Sequence, residues 1–225
     1  KQSDFLVISG DMVDFYEAES AAGGLMGNQI ELFQKLISSE TNSIVYLTLG
    51  NHDITSYPKG RYHQNNANAA RATWIKNVPV FNQGTYYSKI YKVGNTVYRL
   101  IFLDNAYFSV KSHKGEADFI IDRPQLDWLT SQLNESPGDK EIIFMHMPLP
   151  IPTEEANPYL VYDDYVNRTN THDFLNILKE AKNASIQLII AGHEHKSDLF
   201  DFNFSKDFNF KQIKTGAFGN SIDNW

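Results

Sequence analysis

The chain has 225 residues, enough for one large domain whose core needs no covalent staples. With 42% hydrophobic and 21% charged residues it has the composition of a globular mixed α/β chain, which excludes a disordered segment, a fibre or a coiled coil. A net charge of -7 argues against a broad nucleic-acid-binding face, and the absence of cysteine removes disulfides and thiolate metal sites, leaving His, Asp, Glu and Asn as available ligands.

No stretch approaches the roughly 20 apolar residues of a membrane span. The chain opens on Lys1-Gln2-Ser3 and passes almost at once into an apolar run, without the basic, apolar, small-residue pattern of a signal peptide. We therefore expect a domain whose true start lies upstream. Its compartment stays open, with secretion, a periplasm or a lysosome all compatible with a leader removed upstream.

In chain order, the first element is the run Phe5 to Ile8, short and without polar alternation, the pattern of a strand buried on both faces. Ile30, Phe33, Leu36 and Ile37 then recur at helical spacing, and Ile44 to Leu49 reads as a second buried strand. The polar stretch from Ser56 to Asn68 is expected to be a loop. From Tyr86 to Asp104 the pattern alternates and turns at Gly94-Asn95, which predicts a hairpin.

Leu126, Leu129 and Leu133 predict a helix with Pro124 in its first turn, and Ile142 to Met145 a third buried strand. A helix over Phe174, Leu175 and Leu178 has Thr171 as a possible cap and leads to a fourth strand, Ile186 to Ala191. The tail from Leu199 to Ile213 alternates, with Phe200, Phe202 and Phe204 on one side. Alternating strands and helices, with antiparallel pieces added, give an α/β chain with mixed sheet, read as one continuous domain over 1–225.

Each buried strand is followed by a residue able to bind metal. Gly10-Asp11-Met12-Val13-Asp14 follows the first and Gly50-Asn51-His52-Asp53 the second; His146-Met147-Pro148 follows the third and Gly192-His193-Glu194-His195 the fourth. In α/β sheets, ligands bind outside the carboxyl ends of strands, so parallel neighbours would bring these loops together. Three of the loops place glycine directly before the ligand, where the missing Cβ permits a sharp turn and close approach.

Two ions about 3.5–4 Å apart can supply a nucleophile at neutral pH and clamp a phosphoryl group in line. Asp can bridge such a pair, while imidazole and amide oxygen complete the shells without piling up negative charge. That ligand mixture suits Mn, Fe, Zn or Co better than Mg or Ca.

The four blocks resemble, in order, the GDxxD, GNH(D/E), H and GHxH blocks of the calcineurin-like metallophosphoesterases, over Phe5 to His195. The resemblance implies a four-layer fold, a sandwich of two mixed β-sheets flanked by α-helices. It implies two divalent metal ions, with Asp11 bridging, Asn51, His146 and His193 completing one site and His195 belonging to the other. It implies that His52 serves the leaving oxygen and that Asp53 holds the His52 ring. The family's DxH block, which precedes GDxxD, has no counterpart here, since Asp4 is followed two positions later by Leu6; we expect a truncated N-terminus lacking the first strand.

Asp14 reads as a loop or capping carboxylate rather than a ligand, and Glu194 should face away from the metals because successive side chains of an extended segment point oppositely. His63, His113 and His172 match no block, and Tyr57, Tyr62, Tyr159 and Tyr162 fall in loops.

The function expected is hydrolysis of a phosphomonoester or phosphodiester of a small molecule by metal-activated hydroxide. A non-catalytic scaffold of the same fold that binds a protein partner is one alternative, and a nuclease another that the acidic charge disfavours. Oligomeric state and substrate are not legible.

Overall fold

The structure is a computed structural model, and it describes residues 3–13, 24–54, 64–107, 118–119, 121–135, 138–149, 171–181 and 184–217. Asp14, His63, His113, the tyrosines at 57, 62, 159 and 162, and the turn between Glu135 and Gly138 lie outside these residues.

β1 (Phe5–Ile8) and β2 (Ile44–Leu47) pair in parallel, Phe5 opposite Ile44 and Ile8 opposite Leu47. A second sheet has six strands in the order β3 (Tyr87–Val93), β4 (Thr96–Phe102), β7 (Lys140–Met145), β8 (Ile186–Ala191), β10 (Phe208–Lys214), β9 (Asp198–Ser205). Its four central strands run parallel; the outer β3 and β9 are antiparallel to their neighbours. β5 (Ala106–Tyr107) and β6 (Asp118–Phe119) form a short antiparallel pair.

The apolar runs dictate this arrangement. β7 and the end of β4 are buried almost without interruption, as strands covered on both faces must be, whereas β10 alternates buried and exposed residues. The hairpin turn falls at Gly94, with φ of 61°, as the Gly-Asn pair predicts.

The two sheets are joined through aromatic packing. Tyr87 stacks on Phe102 at 4.6 Å between ring centroids, Phe102 stacks on Phe144 at 4.9 Å, and Tyr46 of β2 packs against Phe102 at 5.2 Å. Each such pair contributes about 0.5–1.5 kcal/mol beyond the area it buries. The Tyr87 hydroxyl also donates to the Leu47 carbonyl at 2.9 Å and accepts from its N–H at 3.0 Å, so a β3 side chain satisfies a peptide of β2.

Helices flank the sheets: α1 (Gly24–Glu40), the short α2 (Asn51–Ile54), α3 (Gln64–Asn77), α4 (Arg123–Asn134) and α5 (Thr171–Glu180). α4 opens with Asp122 as N-cap, its side chain accepting from the Gln125 N–H at 3.0 Å, and with Pro124 in the first turn. α5 begins at Thr171 and buries Phe174, Leu175 and Leu178.

The start of α3 differs from the sequence expectation. The segment read as a loop to Asn68 becomes helical at Gln64, and α3 buries Ala67, Ala70 and Trp74 almost completely. Small alanines on its buried face and asparagines along its length hide the periodicity that betrays a helix.

Candidate metal centre

The chain leaves β1 through Ser9 and Gly10 into Asp11, whose φ of 56° is left-handed, a conformation Asp tolerates better than most residues. This turn carries the Asp11 carboxylate to the loop after β2, where Oδ1 accepts the His52 backbone N–H at 3.0 Å. Asp53 returns the connection. Its Oδ2 accepts the N–H groups of Asp11 and Gly50, both at 2.8 Å, and its Oδ1 that of Val13 at 3.0 Å. Two carboxylates thus lock the two loops reciprocally. The sequence reading put Asp53 behind the His52 ring; among the described residues its hydrogen bonds go to these three backbone amides.

β7 ends at Met145 and delivers His146, which is almost completely buried. Its Nδ1 donates to the Ser9 carbonyl at 2.7 Å, across from one sheet to the other. Nε2 is then turned toward Asn51 Oδ1 at 2.9 Å and Asp11 Oδ2 at 3.2 Å. β8 ends at Ala191 and delivers His193, with φ of 70°, whose Nδ1 lies 3.0 Å from the same Asn51 oxygen. Asp11, Asn51, His146 and His193 therefore meet at one place, and the ligand atoms of Asp11, His146 and His193 lie within 4.8 Å of one another.

The glycines before the ligands are required by this crowding. A Cβ on Gly10 would overlap the His146 ring, and one on Gly50 would overlap the Asp11 carboxylate. On Gly192 it would come within 2.9 Å of Ser9. What approaches each glycine is the neighbouring loop of the cluster.

Burial pushes the Asp11 carboxyl up, but the hydrogen bond and charge of His146 outweigh it, and the net shift is downward. Asp53 moves well above the usual carboxylate range because burial and the adjacent Asp11 charge overcome three N–H donors. Burial, reinforced by the charge of His146, depresses His193 to about 4, so its ring is neutral at physiological pH.

His195 stands outside the cluster, exposed, two residues past His193 and with φ of 54°. His52 is half-buried at the start of α2. Glu194, between the two histidines, turns to Lys214 at 2.6 Å. His172 is exposed on α5 beside Asn176.

The donor set fits a divalent cation. Nε2 of His146 faces oxygens of both Asp11 and Asn51, and Nδ1 of His193 faces the same Asn51 oxygen, so a carboxylate, an amide and two imidazoles present donor atoms at one place. An imidazole donating its other nitrogen to a backbone carbonyl is also the usual posture of a metal-ligating histidine.

A family model, calcineurin-like phosphoesterase, matches residues 1–197. The chain belongs to this family. It is a hydrolase acting on phosphoric ester bonds, and its family generally uses two divalent metal ions. The structure is similar to a dimetal phosphatase from Danio rerio, with TM-score 0.58 and 15% identity over 95% of this chain and 72% of the other. It is also similar to a candidate 5′-nucleotidase from Staphylococcus aureus solved with α-ketoglutarate, with TM-score 0.50 and 16% identity over 94% of this chain. The phosphoesterase chain spans 39% of the length of that protein. No curated protein matches the sequence. At these identities the likeness is one of fold, and the mixed six-stranded sheet beside a parallel pair, flanked by helices, is the metallophosphoesterase sandwich. Among the described residues no helix is long and apolar enough to cross a membrane.

Proposed function

We propose that this phosphoesterase hydrolyses phosphomonoesters or phosphodiesters of small molecules at a two-ion centre built on Asp11. One ion would be held by Asp11, Asn51, His146 and His193, and the other would take His195 beside Asp11. The observation that carries this reading is the single hydrogen bond from His146 Nδ1 to the Ser9 carbonyl, which aims Nε2 at Asp11 and Asn51.

The bound ions would supply a nucleophile at neutral pH and neutralise charge on the phosphoryl oxygens. The chain's own part is positional. Asp53 fixes the loops carrying Asp11 and Asn51, and the neutral His193 offers a lone pair without first losing a proton. His52, on the residue after a ligand but not in the cluster, gives a ring proton to the departing ester oxygen. Imidazole, amide and carboxylate together favour Mn, Fe, Zn or Co.

The experiment is an assay of the full-length protein with nitrophenyl phosphate, its diester analogue and a nucleotide panel, each with manganese and with chelator. Manganese-dependent turnover of at least one substrate supports the reading. No metal-dependent turnover of any of them overturns it.

A further inference from the structure

His146 is the first residue past β7, where the sheet's own ladder ends. The last backbone bond between β4 and β7 runs from the Leu103 N–H to the Phe144 carbonyl at 2.8 Å. Beyond it the peptides of His146 and Met147 are buried and must find partners. One side comes from β8, whose following Gly192 donates its N–H to the His146 carbonyl at 3.0 Å.

The other side comes from a side chain. Asn105, fully buried, accepts the N–H groups of His146 and Met147 on Oδ1, both at 3.0 Å, and donates Nδ2 to the Met147 carbonyl at 2.8 Å. Two backbone donors and one backbone acceptor fix the orientation of the amide unambiguously, and only Asn is short enough here with both functions. Gln125 of α4, also fully buried, holds the residue before Asn105 in the same way. It accepts the Asp104 N–H and donates to the Asp104 carbonyl, both at 2.8 Å.

We infer that Asn105 is a positioning residue for the metal centre, acting by extending the β4–β7 ladder one step so that the His146 ring is held where Nε2 meets Asp11 and Asn51. The inference rests on the proposed two-ion function and adds a residue that touches neither ion nor substrate. Gln125 steadies Asn105 from behind, linking the ligand to α4.

Gln212 supplies the control. It is equally buried and makes the same kind of two-point clamp, on the Leu149 backbone at 2.8 and 3.0 Å, three residues beyond His146. Loss of either amide orphans buried backbone groups, so both variants lose stability. Only the Asn105 clamp bears on a ligand.

The test is manganese titration by calorimetry or electron paramagnetic resonance, with the cobalt absorption spectrum, on the full-length wild type, Asn105→Ala and Gln212→Leu, each with its melting temperature. Asn105→Ala should bind manganese about 10- to 100-fold more weakly, as outer partners of ligating histidines do, with an altered cobalt band. Gln212→Leu should melt lower and stay within about threefold of wild-type affinity, as expected of separable sites. If Asn105→Ala does not fold, Asn105→Ser, too short to reach both N–H groups, takes its place: a tenfold loss of manganese affinity supports the inference, and wild-type affinity overturns it. Wild-type affinity in Asn105→Ala, or an equal loss in Gln212→Leu, also overturns it. A wild type that binds no manganese overturns the two-ion reading itself, and this inference with it.

Discussion

Ser9 and His146 lie 137 residues apart in sequence and meet through a hydrogen bond of 2.7 Å from the His146 ring to the Ser9 carbonyl. That bond joins the loop after β1 in one sheet to the loop after β7 in the other, and it decides which ring nitrogen is free to bind. Replacement of His146 by Ala should therefore weaken manganese binding by about 100-fold or more, since even outer partners of such ligands cost 10–100-fold. Equilibrium dialysis with metal analysis measures it.

Crowding at the glycines gives a second expectation. Gly50→Ala drives a Cβ into the Asp11 carboxylate, and an overpacked site of this kind loses about 1–3 kcal/mol of stability. Manganese binding should fall with it. Gly94→Ala makes the comparison, because its Cβ meets nothing within 4 Å and its cost comes from φ of 61° alone, about 1–2 kcal/mol. Thermal melts with and without manganese separate the two: both variants melt lower, and only Gly94→Ala keeps the wild-type shift on adding metal.

His193 sets a pH dependence. Its folded pKa near 4 lies below the unfolded value of 6.5, so the unfolded chain binds the extra proton between these limits. For the metal-free protein this group's contribution is complete above about 6.5 and is lost as pH falls toward 4. Denaturant melts across that range should show the decline, and His193→Asn should flatten it.

His52 is expected to matter to chemistry and little to binding. His52→Ala should lower kcat by about 10²–10⁴-fold on an alkyl phosphate, whose leaving oxygen needs a proton. On nitrophenyl phosphate, whose leaving group departs readily as an anion, the loss should be much smaller. Manganese affinity should be unchanged in either case. Steady-state kinetics on the two substrates, beside a metal titration, provide the measurement.

The strands that deliver ligands were legible because each couples an apolar run to a short turn ending in Asp, Asn or His, a pattern written within a few consecutive residues. The hairpin at Gly94 and the helix capped near Pro124 were legible for the same local reason. α3 was not, since its buried positions hold the small Ala67 and Ala70 and the charged Arg71 beside one large apolar residue, Trp74, too little apolar pattern to stand out from its asparagines. Asn105, Gln125 and Gln212 were invisible for a different reason: each acts on backbone peptides, which carry no sequence signature, and nothing but the fold reveals the partner. The three amides that Asp53 binds were hidden in the same way, because a carboxylate next to a histidine suggests that pair, while backbone partners in the adjoining loops leave no mark in the sequence.

The most direct measurement is anomalous diffraction from crystals of the full-length protein loaded with zinc. An ion should appear with Asp11, Asn51, His146 and His193 around it at about 2.0–2.2 Å. Zinc found elsewhere, with these four side chains still bonded to one another, would contradict the account.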